Sequence, residues 1–250
     1  MQRSKSEKWG FGVLAVLFMF VGMSLAFVKA DTAPAEVAAA NTVNTANSFI
    51  TENIVLYEDL DLGSLGLSRE AFSYALTGFK KLLDEGKIQK DNILSILDFS
   101  LPSGKKRLFV IDLREGELVF NTYAAHGKKS GTSVATQFSN RPNSNMSSLG
   151  FYITGDTYNG KHGTSLRLEG EEKGINDNAL ARGIVMHSAS YVDESIVAHQ
   201  GFIGRSQGCP ALPTNIYKDV INKIKNGSCL FIYSPDKYYA THSKILNEGV

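Results

Sequence analysis

Two residues of this chain, Cys209 and His187, could together carry out covalent chemistry. Cys209 follows the glycine-rich segment Gly204–Gly208, and His187 ends the short apolar run Ile184–Met186. A free thiol has a pKa of roughly 8.5 and attacks only as the thiolate, so it needs a base or cation beside it. An imidazole at the end of a buried strand suits that task, because it is held rigidly and titrates near pH 7. The pair predicts a cysteine–histidine site for acyl transfer.

The turn around Cys209 also predicts how a reacting carbonyl would be stabilised. Gly208 lets the backbone approach a substrate closely, and consecutive N–H groups in such a turn can bind an oxyanion. We expect the N–H groups of Gly208 and Cys209 to act in this way. Pro210, which follows, lacks an N–H group and stiffens the exit of the turn.

The residues around this pair resemble the signature of a known family. His-Ser at 187–188, followed by Ser-Gln-Gly-Cys at 206–209, resembles the His…(Ser/Thr)-x-Gly-Cys pattern of the YkuD-type L,D-transpeptidases. The segment Gly204–Pro213 is similar to the branch called the murein L,D-transpeptidase catalytic domain. The resemblance extends over roughly residues 90–235. It implies a β-rich fold with the reactive cysteine on a loop, and no metal or organic cofactor.

The resemblance also implies a substrate, the peptidoglycan stem peptide, and a role for each motif residue. Cys209 would form a thioester with the carbonyl of the third stem residue and release D-Ala. His187 would assist thiolate formation and protonate the leaving amine, with the Ser188 carbonyl holding its tautomer. Transfer to an amine would give a 3–3 cross-link, whereas transfer to water would be L,D-carboxypeptidase activity. The sequence leaves both outcomes open.

One position departs from the wider family. Many relatives carry an arginine two residues after the catalytic cysteine, where this chain has Ala211. We expect Arg205 to take over its positioning role, and we expect Arg205, Ser206, His162 and Tyr158 to contact the substrate. The departure also supports an alternative function, a non-catalytic envelope protein that binds peptidoglycan on the same scaffold.

The two cysteines leave a structural alternative open. In an exported protein, a pair such as Cys209 and Cys229 can form a disulfide, and their spacing does not exclude one. Cys229, however, leads into an apolar run, where a buried free thiol packs like a small hydrophobic side chain. The glycine-rich turn around Cys209 favours the reactive role for that residue.

The remaining histidines give weaker signals. We expect structural roles for His126 and His242, and His199 is the second candidate for the base. A zinc site is a further alternative, although no close ligand spacing such as CxxC or HExxH supports it. Its ligands would be His162, His187, His199 and Cys209.

The first 47 residues predict export rather than chemistry. Basic residues precede an uncharged apolar run, and small residues follow it, so residues 1–30 are typical of a signal peptide, with an uncleaved membrane anchor as the alternative. Residues 31–47 predict a flexible linker. We therefore expect a periplasmic or other cell-envelope location, with membrane contact only through an uncleaved N-terminal segment. A net charge of +1 does not indicate nucleic acid as a partner.

The remaining chain predicts a helical extension and a mainly β catalytic domain. Apolar residues at helical spacing indicate a helix over Ser68–Glu85 within an extension at 48–90. Short strands between turns then favour a β-sandwich or barrel-like domain over 91–236, followed by a C-terminal tail at 237–250. Predicted strands are Ile93–Phe99, Leu108–Leu113, Leu118–Ala125, Gly150–Thr154, Ser165–Glu169 and Cys229–Tyr233, with a surface loop at Gly127–Ser148 and a helix at Thr214–Asn226 capped by Thr214.

Overall fold

A β-sheet forms the body of the molecule. The computed structural model describes residues 48–247, so the predicted signal peptide and linker and residues 248–250 lie outside the described part of the chain. The described residues form strands β1 (Ile93–Asp98), β2 (Leu108–Asp112), β3 (Glu117–Thr122), β4 (Gly150–Gly160), β5 (Gly163–Gly170), β6 (Val185–Ser188), β7 (Ala211–Leu212) and β8 (Cys229–Tyr233).

Helices precede the first strand, follow the last strand and also lie between the later strands. Residues 48–54 are helical, and a second group of helices follows β8. The named helices are α1 (Leu56–Asp59), α2 (Arg69–Asp84), α3 (Glu194–Gln200), α4 (Tyr217–Ile224), α5 (Lys237–His242) and α6 (Lys244–Asn247). Within residues 48–247 no helix is long and apolar enough to cross a membrane.

The sheet curls into a nearly closed barrel. Its strand order is β3-β2-β1-β8-β4-β5-β6-β7, with parallel pairing for β1–β8 and β6–β7 and antiparallel pairing elsewhere. The chain beyond β3 returns to the opposite edge, where the Ala125 N–H donates to the Ala211 carbonyl of β7 at 2.8 Å. Closure of this kind removes exposed strand edges. The predicted fold class, mainly β and barrel-like with an N-terminal helical segment, is confirmed.

Helix α2 forms where the sequence predicted it and packs against the sheet. The Ser68 hydroxyl caps it by accepting from the Ala71 N–H at 3.1 Å. Its apolar stripe enters the same hydrophobic core as β1 and β8. Gly78 faces Phe151 so closely that an added Cβ would lie 2.0 Å from the ring. Only glycine fits at this position, and the helical extension therefore shares one core with the β domain.

Two local predictions in the β domain are wrong. The strand predicted to end at Thr154 is longer, because β4 continues to Gly160 and leaves only Lys161 and His162 in the turn before β5. Thr214 does not cap α4, since the helix begins at Tyr217 and the first N–H groups donate to the Pro213 carbonyl.

The predicted surface loop at 127–148 and the predicted tail at 237–250 both contain buried residues. The loop lacks regular structure, yet Ser130 and Ser147 are buried and hydrogen-bonded within it. The described part of the tail forms α5 and α6, whose Tyr239 hydroxyl donates to the buried Glu172 carboxylate at 3.1 Å. Ser243 donates to the same carboxylate, so these helices are fixed to the sheet.

Candidate active site

The predicted reactive pair lines a single cavity of about 940 Å³. Strand β6 carries His187, and the turn before β7 carries Cys209. These strands pair in parallel with His187 opposite Ala211, and the His187 N–H donates to the Pro210 carbonyl at 3.3 Å. The sheet therefore positions the imidazole and the thiol on adjacent strands, although they are 22 residues apart in sequence.

His187 is held in one orientation by its own strand and by a second histidine. Its side chain is buried, and Nδ1 lies 2.8 Å from the Ser188 carbonyl oxygen. Because a carbonyl only accepts, Nδ1 carries the proton and Nε2 is the basic nitrogen. The ring of His162 stacks on that of His187 at 4.6 Å. Burial lowers the pKa of His187, and the nearby charges of His162 and Lys161 lower it further. The hydrogen bond to the Ser188 carbonyl acts in the opposite direction.

Cys209 is a free, half-buried thiol at the base of the cavity. Its Sγ lies 3.6 Å from the Gly183 carbonyl oxygen, to which the thiol donates. Burial raises the pKa of Cys209, while the Val185 N–H and the charges of Arg182 and Lys161 act in the opposite direction. Burial therefore favours the uncharged form of both groups in this cavity, the thiol of Cys209 and the neutral imidazole of His187.

The turn that carries Cys209 is held by Ser206. This hydroxyl accepts from the Gly208 N–H at 3.0 Å and donates to the Cys209 carbonyl at 2.6 Å. Ser206 is itself buried, and its N–H donates to the His126 carbonyl at 2.9 Å. Ser206 also borders the cavity, so the predicted contact with substrate stays a prediction beside this role in the turn.

The two predicted oxyanion donors differ in their hydrogen bonds. The Gly208 N–H donates to the Ser206 hydroxyl, whereas the Cys209 N–H makes no hydrogen bond within residues 48–247, so the role of the two groups as oxyanion donors stays a prediction. Gly208 is instead required for packing. Its φ is 129°, and an added Cβ would lie 2.8 Å from the Met146 carbonyl oxygen. Glycine therefore lets the loop at 139–148 lie directly against the turn.

The other residues predicted to contact substrate also reach the cavity. Arg205 and Tyr158 line it, together with His162. The Arg205 guanidinium donates to the Gly131 carbonyl at 3.2 Å, and the Tyr158 ring packs against Arg167, with 4.8 Å between the guanidinium carbon and the ring centre. The Ser188 hydroxyl donates to the His162 carbonyl at 3.0 Å and so ties the β4–β5 turn to β6.

Sequence reasoning missed Arg182, which lies in the turn three residues before the strand that carries His187. Its guanidinium donates to four neutral acceptors of one loop: the Ser139 and Met146 carbonyls and the Ser144 and Ser148 hydroxyls. These bonds fix the loop while leaving the positive charge without a carboxylate partner near Cys209. A cation shortly before an apolar run was the available signal, but its partners come from a segment without regular structure.

Ala211, where many relatives have an arginine, is fully buried in β7. It belongs to a small apolar cluster, against which Tyr123, Tyr191 and Val197 also pack. The charges of Arg182 and Lys161 lower the pKa of Cys209, and the positioning role expected of Arg205 stays a prediction. The members of this apolar cluster are Ala125, Ala189, Val192, Ile203 and Ala211.

The structural alternatives receive no support from the positions of their residues. Cys229 is fully buried in β8, and both cysteines are free. His199 is exposed on α3 and does not line the cavity. Within residues 48–247, no three His, Cys, Asp or Glu side chains approach closely enough to hold a metal ion.

Comparison with known proteins identifies the family. The family described as "L,D-transpeptidase catalytic domain" matches residues 64–233, a longer span than the resemblance predicted, and one that includes α2. No curated protein matches the chain.

Three solved structures show the extent of structural similarity. An L,D-transpeptidase from Mycobacterium smegmatis is 15% identical, with 57% of this chain and 59% of that chain covered and a TM-score of 0.36. An L,D-transpeptidase from Stackebrandtia nassauensis is 14% identical, with 66% of this chain and 67% of that chain covered and a TM-score of 0.36. L,D-transpeptidase 3 from Mycobacterium tuberculosis is 13% identical, with 57% of this chain and 61% of that chain covered and a TM-score of 0.36. The chain thus spans about three fifths of the length of the first and third of these proteins.

The family match covers more than half of the chain. The chain therefore belongs to the L,D-transpeptidase catalytic-domain family, whose members act on peptidoglycan stem peptides.

Proposed function

We propose that this protein is an exported cysteine acyltransferase of the peptidoglycan stem peptide. Cys209 attacks the carbonyl of the third stem residue, forms a thioester and releases the terminal D-Ala. The thioester is then transferred to an amine, giving a 3–3 cross-link, or to water, giving L,D-carboxypeptidase activity. The observation that carries the proposal is the shared cavity of a free thiol and an imidazole whose tautomer leaves Nε2 basic.

The proposed acylation begins with a proton transfer inside the cavity. His187 Nε2 takes the thiol proton, and the charges of Arg182 and Lys161 favour the thiolate that forms. The thiolate then bonds to the carbonyl carbon, and its oxygen becomes an oxyanion that the Cys209 N–H can bind. Collapse breaks the C–N bond, and the imidazolium returns its proton to the departing D-Ala amine.

The second half of the reaction uses the same base. An incoming amine or water loses a proton to His187 as it attacks the thioester, and the imidazolium then protonates the departing Cys209 sulfur. The enzyme is regenerated and no cofactor is consumed. The N-terminal residues 1–30 support export to the cell envelope, where the family's substrate lies.

Intact-protein mass spectrometry on the full chain tests this proposal. We expect incubation with a tetrapeptide muropeptide to give an adduct of the tripeptide fragment on the wild type and on Cys229→Ala, and none on Cys209→Ala. The released products then distinguish cross-linking from hydrolysis. If no adduct and no turnover appear while stem peptide still binds, the proposal is wrong and the chain is a non-catalytic peptidoglycan-binding protein.

A further inference from the structure

The charged side chains that line the cavity of Cys209 and His187 are all basic. Four cationic side chains line it: Lys128, Lys161, Arg182 and Arg205. No Asp or Glu of the described chain lines it. The whole sequence has 26 basic and 25 acidic residues, so this concentration does not reflect an overall excess of positive charge.

None of these four cations is neutralised by the protein. Within residues 48–247 none of them forms an ion pair with a carboxylate. Arg182 bonds only to neutral acceptors, and Arg205 donates to the Lys128 and Gly131 carbonyls. A concave surface of one sign concentrates ligands of the opposite sign and rewards their charged groups with strong hydrogen bonds.

The cations are placed beside both members of the reactive pair. Lys161 lies in the β4–β5 turn, next to the histidine that stacks on His187. Arg205 lies in the turn that carries Cys209, and its guanidinium reaches the backbone of Lys128 at 3.4 Å. Lys128 and Lys161 are exposed, with long side chains that are free to reach a ligand.

We propose that this basic cavity selects stem peptides whose carboxylates are free over stem peptides in which they are amidated. The inference rests on the proposed function, because it takes the stem peptide as the ligand. A stem tetrapeptide presents the α-carboxylate of its γ-linked D-Glu, the second carboxylate of diaminopimelate where that is the third residue, and the terminal carboxylate of D-Ala. Amidation of the first two removes the charge while leaving the reacting carbonyl and the leaving group unchanged.

Binding to full-length Cys209→Ala measures the selection without turnover. The probes are tetrapeptides that differ only in carboxylate or carboxamide at D-Glu, or at diaminopimelate. We expect calorimetry to show tighter binding by about tenfold or more for at least one free carboxylate, as for a charge-assisted hydrogen bond. Equal or tighter binding of both amidated peptides would overturn the inference.

Charge-removing variants identify the cations responsible. Each charge-removing variant is made in the Cys209→Ala background. We expect at least one of Lys161→Gln, Lys128→Gln and Arg205→Gln to reduce the preference for the free over the amidated peptide severalfold. Lys129→Gln is the matched control, since Lys129 is exposed beside Lys128 and does not line the cavity. Loss of the preference in Lys129→Gln, or its retention in all three cavity variants, would contradict the inference.

The same peptides separate this inference from the proposed function. Selective binding by Cys209→Ala, with no adduct on the wild type, would leave the inference standing and overturn the acyltransferase. Adduct formation at equal kcat/KM for the free and amidated peptides would support the acyltransferase and overturn the inference of carboxylate selection.

Discussion

The two cysteines occupy regions of the molecule that treat a thiol in opposite ways. Cys229 lies in β8, paired on both sides by β1 and β4 and completely buried. Cys209 lies in a turn without regular structure and borders an open cavity. Burial raises the pKa of both thiols, so burial alone does not distinguish them.

The difference lies in the charges that each region adds to burial. Near Cys229 the carboxylates of Glu171 and Glu172 raise its pKa further. Near Cys209, the Val185 N–H and the charges of Arg182 and Lys161 lower the pKa against the effect of burial. The surroundings of Cys229 therefore disfavour its thiolate twice, by burial and by charge, while the basic cavity opposes the effect of burial on Cys209.

Exchanging each cysteine for alanine gives the largest expected contrast. Cys209→Ala should lower kcat by about 10⁴-fold or more, because it removes the nucleophile. Cys229→Ala should leave kcat within about twofold and reduce the free energy of unfolding by about 1–2 kcal/mol, since it leaves a small space in the core. Turnover assays and urea unfolding of both variants measure the contrast, and comparable kcat for the two would show that Cys209 is not the nucleophile.

Removing the base should produce the next largest effect. We expect His187→Gln to reduce kcat/KM by about 10²–10⁴-fold. In the wild type, activity should fall as the pH drops, with a midpoint below 6.5, because burial and neighbouring charges lower the pKa of His187 and protonation removes its capacity to accept the thiol proton. Rate profiles between pH 5 and 9 measure this limb. His199→Gln, on the exposed α3, is the control and should retain the wild-type profile.

Arg182 tests whether charge, rather than the shape of the turn, makes the Cys209 region different. Arg182→Gln should raise the pKa of Cys209 and slow its alkylation by iodoacetamide at pH 8 by about tenfold. Arg182→Lys keeps the charge but cannot bond to four acceptors, so its alkylation should stay closer to wild type. Both variants should lose about 1–3 kcal/mol of unfolding free energy, because partly buried loop acceptors are left unpaired.

Arg114→Gln provides the matched control for that experiment. Arg114 is exposed and paired with Asp91 at 2.7 Å, away from the cavity. Its removal should change neither the alkylation rate nor the stability by more than about 0.5 kcal/mol. Equal alkylation pH profiles for wild type and Arg182→Gln would show that the arginine acts on the loop alone.

Much of the regular structure could be predicted from sequence because its determinants are local. The Ser68 cap and the apolar stripe of α2 lie within one turn or a few turns of one another, and the apolar run at β8 is contiguous. The extent of β4 could not be predicted, because Gly160 ends a strand whose outer half is exposed and polar. Pairing with β5 keeps that half extended, and pairing is not written in the residues of β4 alone.

The site shows the same division. The motif predicted Cys209 and His187 because both residue types and their order carry the signal. The engagement of the Gly208 N–H by Ser206, and the bonds from Arg182 to the loop at 139–148, depend on how irregular segments pack. Neither periodicity nor a motif encodes such contacts, so the electrostatics of the cavity required the structure.

His162 offers the smallest effect and the finest test of how the cavity tunes its base. Its ring stacks on His187 at 4.6 Å, and its charge helps to lower the pKa of His187. His162→Phe keeps a stacking ring without the charge, so the acid limb of kcat/KM should move to higher pH while the plateau stays within about threefold of wild type. His162→Gln should move the limb in the same direction and also lower the plateau, since the imidazole loses its packing partner. If both variants keep the wild-type limb, the neighbouring charge does not set the titration of His187, and burial in β6 is sufficient.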